Sequence, residues 1–233
     1  MASAFRVAAV LILYHNLLIL LPVPRVLHVP ANVTATALLL RRSKNHGLSD
    51  DELGVGRTAV RPGIRWGVLG ASAAAVAVVM TFRSRQGAKL FRDERIAQLS
   101  TPQLVYRLAL HIPLGTALAE EVLFRGVLYG LRARDKGQLR AVAASSAAFG
   151  LWHVGPAIDR LRANHPNASS RDWAAAIAGT IAATSLGGIG LAGLRIRSKG
   201  LVAPIIVHWA ANAFGTVGAR FATRTPHGIA DHA

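Results

Sequence analysis

The stretch LAEEVLFRGVLYG, residues 118–130, places three ionisable side chains inside an otherwise apolar helical run. They are two adjacent carboxylates, Glu120 and Glu121, and the guanidinium of Arg125. A charged side chain at the centre of a bilayer costs at least ~2.5–3.5 kcal/mol on insertion scales, so such a residue is by default a functional-site hypothesis. If this run lies in a membrane, these three charges therefore mark a candidate site.

The composition of the whole chain favours a membrane protein. Of its 233 residues, 52% are hydrophobic and only 16% are charged, whereas soluble domains carry about 25% charged residues. The charged residues cluster in short segments between long apolar runs, which is typical of a chain that crosses a bilayer several times. The absence of cysteine excludes disulfides, a thiol nucleophile and a thiolate metal site.

The net charge of +16 is consistent with either nucleic acids or anionic lipid headgroups as partners. The basic residues fall between apolar segments, and no basic stretch interleaved with aromatic residues accompanies them. We therefore predict membrane lipids as the partner of the basic loops, and no nucleic acid.

Apolar segments long enough to span a membrane predict the fold class: an all-α, polytopic membrane helix bundle of about six transmembrane helices, with a range of six to eight. The predicted location is accordingly the cell membrane, as a multi-pass protein. The run at residues 26–40 contains Pro30 and fits a membrane-surface or a re-entrant segment, which the sequence leaves open. The six segments are residues 5–21, 64–82, 103–131, 139–158, 173–194 and 201–221.

Three regions follow from this pattern. Residues 1–100 are predicted to hold N-terminal membrane helices and basic loops, residues 101–221 the bundle that carries the polar motifs, and residues 222–233 a flexible tail. Helix boundaries have local signals as well. Ser49 with Glu52 predicts a capped helix start, Thr101-Pro102 a helix entry, and Gly155-Pro156 an end or kink, followed by a polar loop at residues 159–172.

Helical geometry separates the three charges of the opening stretch. Positions four apart lie on one face of an α-helix, so Glu121 and Arg125 can pair and neutralise each other. Glu120 points about 100° away by the same geometry. Its own face carries no counter-charge: Thr116, Phe124 and Val127. An unpaired intramembrane carboxylate suits general acid or base catalysis, whereas the Glu121–Arg125 pair is equally compatible with a purely structural role.

Two later segments add polar groups. His153 follows Phe149 by four residues, and alone it is better explained as a hydrogen-bonded packing residue. His208 and Asn212 are also four apart, in HWAAN, and their donors can point at one spot to hold an oxyanion. An interhelical hydrogen bond is the simpler alternative for this pair. Because three segments each place polar groups in the membrane, convergence on one site is the better joint interpretation.

These motifs together resemble a known family. AEEVLFRG gives EExxxR at Glu120, Glu121 and Arg125; FGLWH gives FxxxH at Phe149 and His153; and HWAAN gives HxxxN. Their order, spacing and helical setting are similar to the CPBP intramembrane proteases, which include the CAAX prenyl endopeptidases of Rce1 type and the bacterial Abi proteins. The similarity covers roughly residues 101–221, and the first hundred residues carry no family signal.

The resemblance implies an endopeptidase that hydrolyses a peptide bond inside the membrane. By family analogy Glu120 and His153 activate a water, His208 and Asn212 stabilise the oxyanion, and the supporting residues are Glu121, Arg125 and Phe149. The family is often labelled metalloprotease, and a zinc ion would have Glu120, His153 and His208 as ligands. A metal-free glutamate mechanism needs the same residues, so the sequence leaves both open, with the metal-free form preferred. The expected partner is a peptide or protein substrate, membrane-associated or prenylated.

Two other functions fit part of the pattern. A non-catalytic membrane scaffold or immunity-type protein would use the intramembrane polar groups for stability alone. A proton-coupled transporter would use Glu120 and His153 as a relay, but the sequence has neither paired broken helices nor an inverted repeat. Retained biological effect in a folded Glu120→Gln variant would favour the scaffold.

Overall fold

The computed structural model describes residues 4–222, which are 87% helical and include no strand. The predicted flexible tail, residues 222–233, lies outside the described residues except for Ala222. Short 3₁₀ turns occur at Arg25–Leu27 and Arg57–Ala59. The helices are α1 (Ala4–Leu20), α2 (His28–Asn45), α3 (Asp50–Leu53), α4 (Val60–Phe82), α5 (Arg85–Leu90), α6 (Glu94–Ala97), α7 (residues 101–136), α8 (Gln138–Trp152), α9 (Val154–Asn164), α10 (Ser170–Ser198) and α11 (Val202–Ala222).

The all-α membrane bundle predicted from the sequence is confirmed. Four helical stretches are long and apolar enough to cross a membrane: Asp50–Phe82, Gln138–Asn164, Ser170–Ser198 and Val202–Ala222. Four of the six predicted spans fall in these stretches. The other two fall on α1, a shorter apolar helix of 17 residues, and on α7, so the number of six spans stays a prediction.

The distribution of side chains is the reverse of that in a soluble protein. Large apolar side chains of α4 are exposed, among them Val76 at 62% and Met80 at 62%. By contrast, Glu121 and Arg125 on α7 are 0% exposed. Exposed apolar helix surface of this extent marks contact with lipid, so the charged residues lie inside the bundle.

Helix α7 is continuous but not uniformly α-helical. It begins with a capping box between Ser100 and Gln103, with proline in its first turn as the sequence predicted. Its stretches Arg107–Leu118 and Val122–Leu128 have π-helical hydrogen bonding. This bonding is rare in proteins as a whole, and where it occurs it is often at a functional site. The uniform 100° step assumed from the sequence therefore does not describe the whole helix. The α-helical turn at Ala119–Glu121 lies between the two π stretches and carries both carboxylates.

The run at residues 26–40, left open by the sequence, belongs to the bundle. It forms most of α2, which packs against α7 along the π stretches. Asn32 donates from Nδ2 to the carbonyl of Gly115 at 2.9 Å and accepts a hydrogen bond from the Tyr14 hydroxyl at 3.0 Å. Because Pro30 lies in the first turn, its missing N–H breaks no helical hydrogen bond. The predicted cap is present too: Ser49 and Glu52 form a capping box at the start of α3.

The predicted interruption near Gly155-Pro156 is displaced by two residues. Helix α8 ends at Trp152, His153 forms the joint, and α9 begins at Val154. Pro156 lies in the first turn of α9, where a missing N–H is tolerated. The polar loop predicted at residues 159–172 was wrong in extent, because α9 continues to Asn164 and α10 begins at Ser170.

Small residues bring α11 close to α4 and so fix the helix that carries HWAAN. A Cβ added to Gly63 would lie 2.6 Å from Val202 Cβ, and one added to Gly67 would lie 2.8 Å from Ile206 Cδ1. Glycines at such positions allow close helix approach in lipid, where packing drives association. The HWAAN segment is therefore held at a short distance from α4 while its other face turns toward α7.

Candidate active site

A buried network joins α7 to α11. Arg125 donates from Nη1 to Glu121 Oε1 at 2.9 Å, which is the ion pair predicted from the i, i+4 spacing. The same Oε1 accepts a hydrogen bond from His208 Nδ1 at 2.7 Å. Charge-assisted hydrogen bonds are about twice as strong as neutral ones. Glu121 therefore fixes the ring of His208, a link between the two motifs that their spacing within each helix did not reveal.

Two buried carboxylate oxygens of the described residues lack a hydrogen-bond donor, Glu121 Oε2 and Glu120 Oε2. Glu121 is still held through its Oε1 atom, so the carboxylate outside the network is that of Glu120, with its Oε2. This atom is buried and accepts no hydrogen bond within residues 4–222, and the residue is 4% exposed. His208 Nε2 lies 3.8 Å away, beyond hydrogen-bond distance. A buried carboxylate oxygen left unsatisfied is costly, so Glu120 keeps an unused hydrogen-bond acceptor inside the bundle.

His153 stands at the joint between α8 and α9. Its Nδ1 lies 2.7 Å from the carbonyl of Phe149, and because a carbonyl can only accept, Nδ1 carries the proton. The neutral ring then has Nε2 as an acceptor. No hydrogen bond joins His153 to Glu120 or to His208 in the described chain.

Phe149 forms the aromatic centre of the site. The guanidinium carbon of Arg125 lies 4.1 Å from the centroid of its ring. The rings of His153 and His208 meet it edge to face, at centroid distances of 4.6 and 5.7 Å. A single ring thus contacts a residue from each of the three motifs, which explains physically why FxxxH needs an aromatic residue four positions before its histidine.

Asn212 is the predicted site residue that the structure leaves furthest from the network. Its side chain is exposed, and Nδ2 donates to the carbonyl of His208 at 3.1 Å. In residues 4–222 no hydrogen bond connects it to Glu120 or to His153. The structure therefore brings together Glu120, Glu121, Arg125, Phe149, His153 and His208, with Asn212 at their edge.

The three predicted zinc ligands do not form a metal-binding group. Among the described residues, no set of three His, Asp or Glu side chains is gathered so that it could hold a metal ion. Glu121 and the Phe149 carbonyl engage only Nδ1 of His208 and of His153, so these hydrogen bonds do not themselves argue against a metal. Because the three side chains are not gathered into such a set, we derive no chemical step that passes through a metal.

Sequence reasoning missed one buried cation beside the site. Arg195, in the last turn of α10, is 7% exposed. Its Nε donates to the carbonyl of Arg125 at 2.6 Å and its Nη2 to the carbonyl of Glu52 at 2.5 Å. The guanidinium also lies 4.2 Å from the ring centroid of Tyr129. It thereby satisfies a carbonyl of the second π stretch, and no local sequence signal distinguishes it from the neighbouring Arg197.

The fold and the buried polar network define a membrane-embedded helix bundle with acid, base and imidazole groups inside it. Residues 102–214, about half of the chain, match the family model described as Rce1-like, type II CAAX prenyl endopeptidase. That segment contains all three motifs, and the match supports the Rce1-like family. It supports a peptidase of the general CAAX type, and the four apolar helices able to cross a membrane agree with a membrane protein. No curated protein and no solved structure gives a significant match.

Proposed function

We propose that the protein is an intramembrane endopeptidase in which the Glu120 carboxylate activates a water that attacks a peptide bond. One observation carries the proposal: the buried Glu120 carboxylate lies outside the Glu121–Arg125–His208 hydrogen bonds, with Oε2 3.8 Å from His208 Nε2, within the segment that matches the Rce1-like family. Glu120 lies next to the Glu121–Arg125 pair yet outside it, which leaves its carboxylate available for proton transfer.

In the first step the carboxylate of Glu120 accepts a proton from water while the water oxygen bonds to the scissile carbonyl carbon. His153 Nε2 accepts the second water hydrogen as a hydrogen bond and so orients the nucleophile. The ring holds this orientation because Nδ1 donates to the Phe149 carbonyl. Fixing a nucleophile in this way replaces a bimolecular encounter with an oriented one.

The same attack places negative charge on the carbonyl oxygen. His208 Nε2 is the nitrogen that Glu121 does not use, and when protonated it donates to this oxyanion. The second N–H of Asn212 is the other proposed donor, since its first is given to the His208 carbonyl. Collapse of the tetrahedral intermediate breaks the C–N bond, and Glu120 returns its proton to the leaving amine.

The substrate is proposed to be a peptide or protein presented at the membrane, with a prenylated C-terminal segment as the form that the family description names. An apolar prenyl chain would enter from the lipid between exposed apolar helix surfaces. The test therefore compares a farnesylated CAAX peptide with the same peptide lacking the lipid.

The decisive experiment measures cleavage of these two peptides by the purified protein in detergent, with product release followed by mass spectrometry. Glu120→Gln keeps the volume and removes the base, so kcat is expected to fall by at least about 100-fold. Glu94→Gln is the matched control, because Glu94 is exposed on α6. Cleavage by Glu120→Gln at the parental rate would disprove the mechanism.

The same assay separates the two forms of the mechanism that the sequence left open. A metal-free glutamate mechanism predicts activity that persists with chelator, together with a purified protein free of bound zinc. Loss of activity with chelator and its return with zinc would instead assign Glu120, His153 and His208 as metal ligands. The non-catalytic scaffold would be supported by two results together: the parent cleaves neither peptide, and a folded Glu120→Gln variant keeps the full biological effect of the parent.

A further inference from the structure

We infer that Asn16, on α1 and outside the segment that matches the family, is a positioning residue that holds His153 in place. The inference rests on the proposed function, since His153 matters only if it orients the water. It concerns the joint between α8 and α9, which lies at His153 itself.

The joint has backbone groups that the two helices cannot satisfy. His153 has φ −87° and ψ 4°, outside the helical range, and the helix changes there from α8 to α9. The last carbonyls of one helix and the first N–H groups of the next lose their partners at such a break. Inside a membrane protein no bulk water compensates for them.

Asn16 supplies partners on both sides of the joint. Its Nδ2 donates to the carbonyl of Leu151 at 3.1 Å, two residues before His153. Its Oδ1 accepts a hydrogen bond from the N–H of Gly155, two residues after it. The second Nδ2 hydrogen goes to the carbonyl of Ile12 on α1, at 2.8 Å. One amide therefore ties the end of α8 and the start of α9 to a third helix.

Packing around the amide leaves the joint little freedom. A Cβ added to Gly155 would lie 2.9 Å from Asn16 Oδ1 and 3.2 Å from Asn16 Cα, so glycine permits this close approach. The adjacent His15 stacks on Trp152 with ring centroids 3.8 Å apart and planes within 7°. Helix α1 thus contacts Leu151, Trp152 and Gly155, the residues on either side of His153.

The expected consequence of losing these bonds is a change in turnover rather than in substrate affinity. The ring of His153 stays attached to Phe149 on α8, but the backbone at the joint can shift once Leu151 and Gly155 are released. A displacement of about 1 Å at a catalytic group costs on the order of 100-fold in rate. Asn16→Leu is therefore expected to lower kcat by about 10- to 100-fold while KM changes by less than about threefold.

The matched control is Asn164→Leu, at the other end of α9. Asn164 also links two helices, since its Oδ1 accepts the Glu94 N–H at 2.8 Å and its Nδ2 donates to the Arg160 carbonyl at 2.8 Å. It lies eleven residues from His153, roughly 16 Å along the helix. Asn164→Leu is expected to leave kcat within about twofold of the parent, because it removes comparable hydrogen bonds away from the joint.

Two measurements test the inference with full-length protein in detergent. The first is kcat and KM with the farnesylated peptide, and the second is hydrogen exchange of the backbone at residues 150–158. Asn16→Leu is expected to expose the Gly155 amide to exchange. Asn16→Asp, which keeps the acceptor and loses the donors, is expected to retain that protection and an intermediate kcat.

The outcomes separate the inference from the function on which it rests. An inactive parent would contradict the proposed function, and the exchange measurement would still test whether Asn16 holds the joint at His153. An active parent whose Asn16→Leu variant has parental kcat and parental exchange at residues 150–158 overturns the inference alone. Equal losses of kcat in Asn16→Leu and Asn164→Leu would also overturn it, because a general loss of stability would then explain both.

Discussion

The ion pair between Glu121 and Arg125 leads to an asymmetric prediction about stability. Both side chains are 0% exposed and lie 2.9 Å apart. Removing one partner of such a pair leaves the other charge buried and uncompensated, which costs about 3–5 kcal/mol. The two removals differ here, because the two residues have different remaining partners.

After Arg125→Met, the Glu121 carboxylate keeps the hydrogen bond from His208 Nδ1 at 2.7 Å. After Glu121→Ala, the guanidinium loses its hydrogen-bonded carboxylate and keeps the contact with the Phe149 ring at 4.1 Å. Its Nε and Nη2 already lack a hydrogen-bond partner among the described residues. We therefore expect Glu121→Ala to lower the free energy of unfolding by about 4–5 kcal/mol and Arg125→Met by about 3 kcal/mol or less.

The assay is unfolding of the purified protein in mixed micelles by titration with dodecyl sulfate, followed by circular dichroism. The double variant, Glu121→Ala with Arg125→Met, leaves no buried charge of this pair. Its loss should be smaller than the sum of the two single losses by up to about 3 kcal/mol. The control is Arg134→Met, which breaks the Glu52–Arg134 pair, whose side chains are 36% and 32% exposed. Such an exposed pair contributes little to stability.

Two results would refute this reasoning. Equal losses for the two single variants would mean that His208 does not stabilise the remaining carboxylate. Additivity in the double variant would mean that Glu121 and Arg125 are not coupled in the folded protein.

Two further predictions follow from contacts around the site. Gly188→Ala places a Cβ 3.0 Å from Arg125 Nη2 and 3.1 Å from Ser146 Cα, and should destabilise the protein by about 1–3 kcal/mol. In Gly187→Ala the new Cβ meets nothing within 4 Å, and the variant should be more stable by about 0.5–1 kcal/mol. Equal melting temperatures of the two variants would contradict this prediction. Burial alone would raise the pKa of Asp93, but hydrogen bonds and charge from Arg95 and a hydrogen bond from Asn164 lower it below its ordinary value. Its stabilising contribution is thus present above about pH 4 and lost as the pH falls through the lowered pKa. The melting temperature of Arg95→Met should fall less than that of the parent between pH 5 and about 3, and parallel curves would argue against it.

The sequence predicted most of the bundle because its signals are local. Long apolar runs predict the helices. The capping pair at Ser49 and the Thr101-Pro102 entry predict two helix starts, which the structure shows at Asp50 and Thr101. The i, i+4 spacing predicted the Glu121–Arg125 pair, since both residues belong to one helix. Each of these features depends on neighbours within a few positions along the chain.

Two predictions about helix geometry were wrong in detail. Gly155-Pro156 is a strong helix-breaking pair, yet the joint forms at His153, because a proline in the first turn of a helix needs no N–H partner. The uniform α-helical step failed for α7 because two of its stretches have π-helical hydrogen bonding, for which the sequence pattern carries no signal.

The sequence by itself determined an all-α membrane bundle, the family and the residues that carry the three motifs. Only the tertiary structure decided that Glu121 binds His208, that Phe149 meets all three motifs, and that Asn16 holds both sides of the His153 joint. The physical reason is the range of the interactions. Helix formation follows from hydrophobicity and hydrogen bonds within one turn, whereas a buried polar side chain must find its partners on whichever helix the packing brings near it.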